Sequence, residues 1–136
     1  MVRKLQDVGL SIKRVQHRNH REINKNLRGL GISLVQWDTL RHISQQPNAS
    51  MHDLALLTFQ SDQAFGTLAS RMQKQGLIIK NNGRGRAITV SLTKKGVEFQ
   101  HLGNAIVEKV LAETFAPLNQ VQLKNLDTLL CKILNE

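Results

Sequence analysis

The strongest constraint on the fold is a change in the spacing of apolar residues near the middle of the chain. Before residue 76 and after residue 93, apolar residues recur every three or four positions, which is typical of amphipathic helices. Between these regions, residues 77–79 and 87–92 are rich in β-branched and aliphatic residues. The segment that joins them is Asn81-Asn82-Gly83-Arg84-Gly85-Arg86. This pattern predicts a two-stranded hairpin with a basic tip, set within an otherwise helical chain.

Six helices are predicted around this hairpin. Residues 5–27 form a long amphipathic pattern with one interruption at Asn19. Ser33 can cap a second helix, which stops near Pro47. The stretch from Ser50 to Asp53 has capping-box spacing and opens a short third helix. Ser61 can cap a fourth helix. The fourth helix extends to about residue 75, where Gly76 ends it. Two further helices follow the hairpin, and Pro117 separates them.

The predicted fold class is therefore mainly α with a small β-wing. The short helix at 51–58, a tight turn near Phe59-Gln60 and the helix at 61–75 have the order of a helix-turn-helix, in which the hairpin is the wing. We expect a winged helix-turn-helix domain at residues 31–96, an N-terminal dimerisation helix at 1–30 and C-terminal dimerisation helices at 97–136.

The terminal helices are too long and too apolar along one side to be tails. The last helix, for example, carries Leu126, Leu129, Leu130, Ile133 and Leu134 on a wide apolar stripe. The middle domain can bury its own core but not three additional amphipathic helices. These helices either pack on one another within the chain or form a bundle shared by two chains, and their terminal location favours a homodimer.

Charge identifies the partner class. The chain has 19 Lys and Arg against 10 Asp and Glu, a net charge of +9. Residues 1–28 contain eight basic and two acidic residues, and residues 76–96 contain five basic residues and no acid. A basic block is either a solvated face or the footprint of a polyanion. We expect double-stranded DNA, because one block coincides with the wing.

Two groups of side chains are predicted to contact DNA. Base edges are recognised by Gln, Ser and Thr, whereas basic side chains neutralise phosphates. The predicted contacts on the recognition helix are Gln60, Ser61, Gln63, Thr67 and Arg71, and those on the wing are Arg84 and Arg86, which suit a narrow minor groove. Asp62 either caps its own helix or accepts from cytosine. The buried side of this helix is predicted to carry Ala64, Phe65, Leu68 and Met72.

Other classes of function find little support in the sequence. No apolar run reaches the roughly 20 residues of a membrane span, and no secretory signal is recognisable, so we expect a cytoplasmic protein without a membrane partner. The sequence contains no catalytic triad, carboxylate pair or phosphate-binding glycine loop. We therefore expect that the protein is not an enzyme and binds no cofactor. His17 and His20 have metal-ligand spacing but lack further ligands, and the single cysteine, Cys131, is expected to behave as a small buried hydrophobe.

In order and spacing, several short motifs resemble the MarR family of transcriptional regulators over nearly the whole chain. The resemblance comprises Gln36-Trp37-Asp38-Thr39-Leu40, Asp53-Leu54-Ala55, Arg71-Met72 followed by Gly76-Leu77-Ile78, and Leu92-Thr93-Lys94-Lys95-Gly96. It implies a homodimeric DNA-binding protein, usually a repressor, often released from DNA by a small-molecule effector or an oxidant. The family's wing often carries Asp-x-Arg, whereas here Arg84 stands in the place of the acid before Arg86.

Together these observations predict a sequence-specific, double-stranded DNA-binding transcriptional regulator. We expect it to be a ligand-responsive repressor that acts as a homodimer on a pseudo-palindromic operator. The alternative is a winged-helix module that binds a protein partner and does not contact bases directly.

Overall fold

The computed structural model describes residues 3–82 and 87–136, and this part of the chain contains six α-helices and one two-stranded sheet. Met1, Val2 and residues 83–86 lie outside the described residues. The helices before the sheet are α1 (Leu5–Leu27), α2 (Leu34–Gln45), α3 (Met51–Leu57) and α4 (Asp62–Lys74). The strands β1 (Ile78–Asn81) and β2 (Thr89–Leu92) follow, and α5 (Lys94–Phe115) and α6 (Gln120–Leu134) complete the chain. The predicted fold class is confirmed.

Side-chain caps start the helices at the predicted positions. Ser33 and Gln36 form a reciprocal capping box at α2, and Ser50 and Asp53 form another at α3. The Ser61 hydroxyl accepts a hydrogen bond from the backbone N–H of Ala64 at the start of α4. Each cap satisfies backbone donors that the first helical turn leaves unpaired, so these helix starts are determined locally.

The hairpin is antiparallel and pairs Ile78 with Leu92 and Asn81 with Thr89. β1 extends two residues beyond the predicted end at 79, and β2 begins two residues after the predicted start at 87. A single bridge pairs Ser50 with Thr89, and the backbone N–H of Met51 donates to the carbonyl of Ile88 at 3.0 Å. The wing is therefore hydrogen-bonded to the start of α3 as well as to itself.

The segment Thr93–Gly96 explains why α5 can begin so close to the sheet. The Thr93 hydroxyl accepts from the backbone N–H of Gly96 at 3.0 Å and donates to the carbonyl of Gly76. A Cβ at Gly96 would overlap the carbonyl oxygen of Leu77. Only glycine permits this approach of α5 to the strand, which gives the Leu-Thr-x-x-Gly motif a physical basis.

One core joins the middle of the chain to parts of α1 and α5. Ile23 and Leu27 of α1, together with Val107 and Val110 of α5, pack with the buried residues of α2, α3, α4 and the sheet. The residues with almost no exposed surface include Leu27, Leu40, Leu54, Phe65, Met72, Leu77, Ile78 and Val90. The middle of the chain thus packs on the C-terminal end of α1 and on both halves of α5.

The interruption predicted at Asn19 does not break α1, which is continuous from Leu5 to Leu27. The Asn19 side-chain carbonyl accepts a hydrogen bond from the Thr114 hydroxyl of α5. A polar residue is tolerated between two packed helices when it finds a partner there. The interruption in the apolar pattern therefore marks a specific contact between α1 and α5.

The remaining apolar faces of the long helices have no partner within the described chain. Leu5 at the start of α1 is 90% exposed, and no residue of α6 is buried. Cys131 is accordingly only half-buried, contrary to the predicted burial. The exposed large aliphatic residues of these helices include Val8, Leu10, Ile12, Val15, Val121, Leu129, Ile133 and Leu134. These residues are called the terminal apolar faces below.

Candidate nucleic-acid interface

The turn between α3 and α4 holds the two helices at a fixed angle. The Thr58 hydroxyl donates to the carbonyl of Leu54 at 2.7 Å, and the backbone N–H of Gln60 donates to the carbonyl of Ala55 at 2.8 Å. Phe59, between them, has a positive φ of 58°. These bonds satisfy the end of α3 and orient α4, so that one of its faces is covered and the other is free.

The covered face of α4 carries Phe65, Ala69 and Met72, all of which are buried, with Leu68 half-buried beside them. Phe65, Leu68 and Met72 therefore lie where the sequence predicted. Ala64 was wrongly predicted to be buried, because it is exposed and Ala69 occupies the core instead. The methyl group of an alanine contributes little to an apolar pattern, so Phe65 and Met72 determine which side of α4 faces the core.

The free face of α4 is polar and basic. Six of its residues line a shallow concavity of about 610 Å³, and none of them is acidic. They are Gln63, Gly66, Thr67, Ser70, Arg71 and Lys74. The spacing of three and four residues places them on one side of the helix, opposite Phe65 and Met72. We call these six residues the outer face of α4.

The structure brings three of the predicted recognition-helix residues together on this face, namely Gln63, Thr67 and Arg71. Ser61 lies at the N-terminus of the same helix, where its hydroxyl is engaged as the cap. Gln60 is half-buried, and its side-chain amide donates to the Thr58 hydroxyl at 2.9 Å. One N–H of its amide is therefore used within the turn, which leaves the second N–H and the side-chain oxygen available to a ligand.

Three polar side chains of this surface were absent from the sequence prediction. Ser70 and Lys74 continue the helical spacing of Gln63 and Thr67, so that spacing alone could have found them. Lys80 of β1 lies beside α4, where its ammonium group donates to the Ser70 hydroxyl at 3.3 Å. This contact depends on how the wing packs, and no local sequence signal indicates it.

An ion pair flanks the N-terminus of α4. The ring nitrogen Nδ1 of His52 lies 2.8 Å from Oδ1 of Asp62, and both side chains are exposed. The hydrogen bond to Asp62, assisted by its negative charge, raises the pKa of His52. The backbone N–H of Ser50 donates to Asp53 in the capping box, which lowers the pKa of that carboxyl group. The carboxylate of Asp62 is thus engaged by His52 of α3.

The wing strands lie next to the outer face, and Lys80 joins them to it. The Asn81 side-chain amide donates to the Ser91 hydroxyl at 2.6 Å, which ties the two strands together near the tip. The predicted contacts Arg84 and Arg86 lie outside the described residues. The described part of the wing therefore contributes one basic side chain, Lys80, to the surface.

Other predicted constellations are not assembled in the part of the chain that the structure describes. Over residues 3–82 and 87–136, no group of three or more His, Cys, Asp and Glu side chains is placed to hold a metal ion. Asp127 and Glu136 raise the pKa of the Cys131 thiol, mainly through the negative charge of Asp127. In the same described residues, no helix is both long enough and apolar enough to cross a membrane.

Comparisons with known proteins agree with this geometry. A model of the MarR family matches residues 30–87. The HTH-type transcriptional repressor Rv2887 of Mycobacterium tuberculosis is 26% identical over 114 residues, which cover 82% of this chain and 82% of the repressor. The crystal structure of Rv2887 with p-aminosalicylic acid superposes with a TM-score of 0.78 and covers 92% of this chain and 96% of the other.

The crystal structure of a Cys-to-Ser variant of MarR from E. coli with operator DNA superposes with a TM-score of 0.84. It is 21% identical and covers 94% of each chain, and at this identity the match concerns the fold. The family match includes α2, α3, α4 and β1, the elements that build the outer face. The members of this family are transcription regulators and not enzymes. The fold, the motifs and these similarities agree, and the chain is similar to the MarR family of winged-helix transcriptional regulators.

Proposed function

We propose that this regulator binds double-stranded DNA in a sequence-specific manner, as a homodimer, and represses transcription until a small-molecule effector releases it. The single observation that carries the proposal is the outer face of α4, which is polar, basic and free of acidic side chains beside a basic wing strand. Such a face suits the major groove, where base edges offer donors and acceptors and phosphates line the rim.

On this surface the residues have different roles. Gln63 and Thr67 are the residues proposed to contact base edges, because a carboxamide can pair with adenine and a hydroxyl can contact several bases. Arg71 and Lys74 lie one or two turns further along α4 and are assigned to phosphates. Ser61 and Gln60 stand at the end of α4 that would enter the groove, where the partial positive charge of the helix also favours phosphate.

The wing is proposed to contact the flanking minor groove through Arg84 and Arg86. Support comes from the sequence of the tip and from Lys80, which places positive charge where the wing meets α4. Narrow, A·T-rich minor grooves have the most negative potential and attract arginine. In this assignment the wing adds affinity and a preference for groove width, whereas α4 contacts the bases.

Dimerisation is assigned to the terminal apolar faces. No residue of α6 is buried and the first half of α1 exposes aliphatic side chains at helical spacing, an arrangement that water disfavours. A second copy of the chain offers the same faces and can cover them by two-fold symmetry. Residues 1–30 and 97–136 then form the dimer, and residues 31–96 form the DNA-binding unit.

Repression and response to an effector are supported by the relative Rv2887, which is a transcriptional repressor and was crystallised with p-aminosalicylic acid. That ligand belongs to the other protein. For this chain the proposal extends only to a small molecule that lowers DNA affinity, of a chemistry that a screen has to define.

The test is selection of bound duplexes from a random pool by the purified protein. Two-fold symmetry predicts a pseudo-palindrome with half-sites about one helical turn, roughly 10 base pairs, apart. The protein–DNA complex should contain two chains of 15.3 kDa and should weaken steeply as salt is raised. Recovery of random sequence, with binding insensitive to salt, would contradict the proposal and favour a module that binds a protein partner.

A further inference from the structure

Phe59 combines two unusual features at the turn before α4. The residue is 96% exposed, although it carries the most apolar side chain of the turn. Its backbone has a φ of 58°, a left-handed conformation that bulky residues rarely adopt. Among the described residues other than glycine, only Asn135, next to the end of the chain, shares a positive φ. Asparagine tolerates this conformation, whereas phenylalanine does not.

The fold itself needs the backbone of residue 59 but not its ring. The left-handed turn is set by hydrogen bonds of the main chain, from Phe59 N–H to the Leu56 carbonyl at 3.1 Å and from Gln60 N–H to the Ala55 carbonyl at 2.8 Å. Glycine would satisfy both without strain. The ring is almost fully in water and so contributes little burial to the core. The Cβ of Phe59 therefore strains the backbone, and the ring adds no stability within the chain to offset that strain.

The position of the ring indicates what it meets. Phe59 directly precedes Gln60 and Ser61, the residues at the end of α4 that the proposed function places in the major groove. At that edge a phenyl ring finds little attraction in phosphates, which favour donors and cations. The apolar group that DNA displays in the major groove is the C5-methyl group of thymine. Continuity with the proposed interface thus favours DNA over a protein as the occupant.

We propose that Phe59 is a specificity-determining residue that packs its ring against a thymine methyl group at the edge of each half-site. The inference rests on the proposed function, because it assumes the docking of α4 in the major groove. It assigns the strained turn a purpose: the left-handed backbone holds an apolar side chain in water until DNA covers it. Backbone strain that persists at a binding surface is a recognised sign of such a role.

The test compares two variants that both remove the ring but differ in strain. Phe59→Gly removes the ring and relieves the backbone, so its thermal midpoint should rise by roughly 2–5 °C. Phe59→Ala removes the ring and keeps the strain, so its thermal midpoint should not rise. Both should bind the duplex selected by the wild type about tenfold more weakly, because a lost base contact costs on this order. If DNA affinity is retained in either variant, the inference is wrong.

Modified DNA shows whether a thymine methyl group is the partner. Each thymine of the selected half-site is replaced in turn by deoxyuridine, which removes only the C5-methyl group. One replacement should weaken the wild type and leave the affinity of Phe59→Gly unchanged. If every replacement weakens both proteins equally, the ring does not meet a methyl group. If the wild type selects no duplex at all, the proposed function fails and not this inference alone.

Discussion

Large apolar residues are buried in the middle of the molecule but exposed on its terminal arms, which are α6 and the first half of α1. In the middle, from α2 to β2, the large apolar residues Leu40, Leu54 and Phe65 are completely covered by other parts of the same chain. In α6 no residue is buried, and Ile133 is 69% exposed. The difference teaches that one region is stabilised within the chain, whereas the other has an apolar surface that only a further molecule can cover.

The largest effect is expected from opening the core of the middle region. Phe65→Ala should lower the free energy of unfolding by about 3–5 kcal/mol, because it leaves a cavity between α4 and its neighbours. Chemical denaturation measures this change. Leu56→Ala is the matched control, since Leu56 is 62% exposed and its loss should change stability by less than about 0.5 kcal/mol. Equal losses would contradict the assignment of Phe65 to the core.

Stability should be nearly as sensitive to a substitution at Gly96, where the backbone of α5 lies close to that of Leu77. Gly96→Ala places a Cβ against the Leu77 carbonyl and should destabilise the protein by about 2–3 kcal/mol, since α5 must move away from the sheet. The control is Gly66→Ala on the outer face of α4, where a Cβ meets no atom within 4 Å. That change should stabilise the helix by up to about 1 kcal/mol. A stable Gly96→Ala protein would show that the contact can relax.

A charged substitution on the terminal arms should weaken the association of two chains without preventing each chain from folding. Ile133→Glu places a carboxylate on an apolar face of α6, and we expect the dimer to dissociate at least about tenfold more readily, because both copies must bury an unpaired charge. Sedimentation equilibrium measures the dissociation constant. Lys132→Glu also creates a carboxylate, at a neighbouring polar position and with twice the change in net charge, and should nevertheless have a much smaller effect. An unchanged constant for Ile133→Glu would place the dimer seam elsewhere.

The smallest effect concerns the ion pair that joins α3 to α4. Because the pKa of His52 is raised in the folded protein, its contribution to stability is fully present below the ordinary histidine pKa of about 6.5 and is lost as pH rises through the folded value. Asp62→Asn should lower the pKa of His52 toward its usual range, which NMR titration measures. The stability difference between wild type and variant should shrink with rising pH, and a constant difference would contradict the coupling.

Much of the fold was predictable because its signals are local. Caps at Ser33, Ser50 and Ser61 and the change of period at the hairpin depend on residues a few positions apart, and the structure has them where the sequence indicates. The winged helix-turn-helix order followed from these elements. The motifs that resemble the MarR family also include structural positions, such as Thr93 and Gly96, whose contacts explain their spacing.

Apart from Ser70 and Lys74, which helical spacing alone indicates, the features that were missed depend on contacts between distant elements. Ala64 and Ala69 cannot be distinguished by hydropathy, since only the packing of Phe65 and Met72 fixes the rotation of α4. The pairing of His52 with Asp62 joins two helices across a turn. In each case the deciding contact arises from the angle between elements, which no local pattern encodes.

The bonds between the wing and the start of α3 have a mechanical consequence. Met51 N–H bonds to the Ile88 carbonyl, Ser50 pairs with Thr89, and Lys80 holds Ser70 of α4. These bonds join α3, α4 and the wing into one unit and oppose bending between them. A unit joined in this way moves most readily as a whole. In the proposed dimer, the adjustable quantity is then the span between the two such units, and the proposed effector would control DNA affinity from a site far from α4 by altering that span.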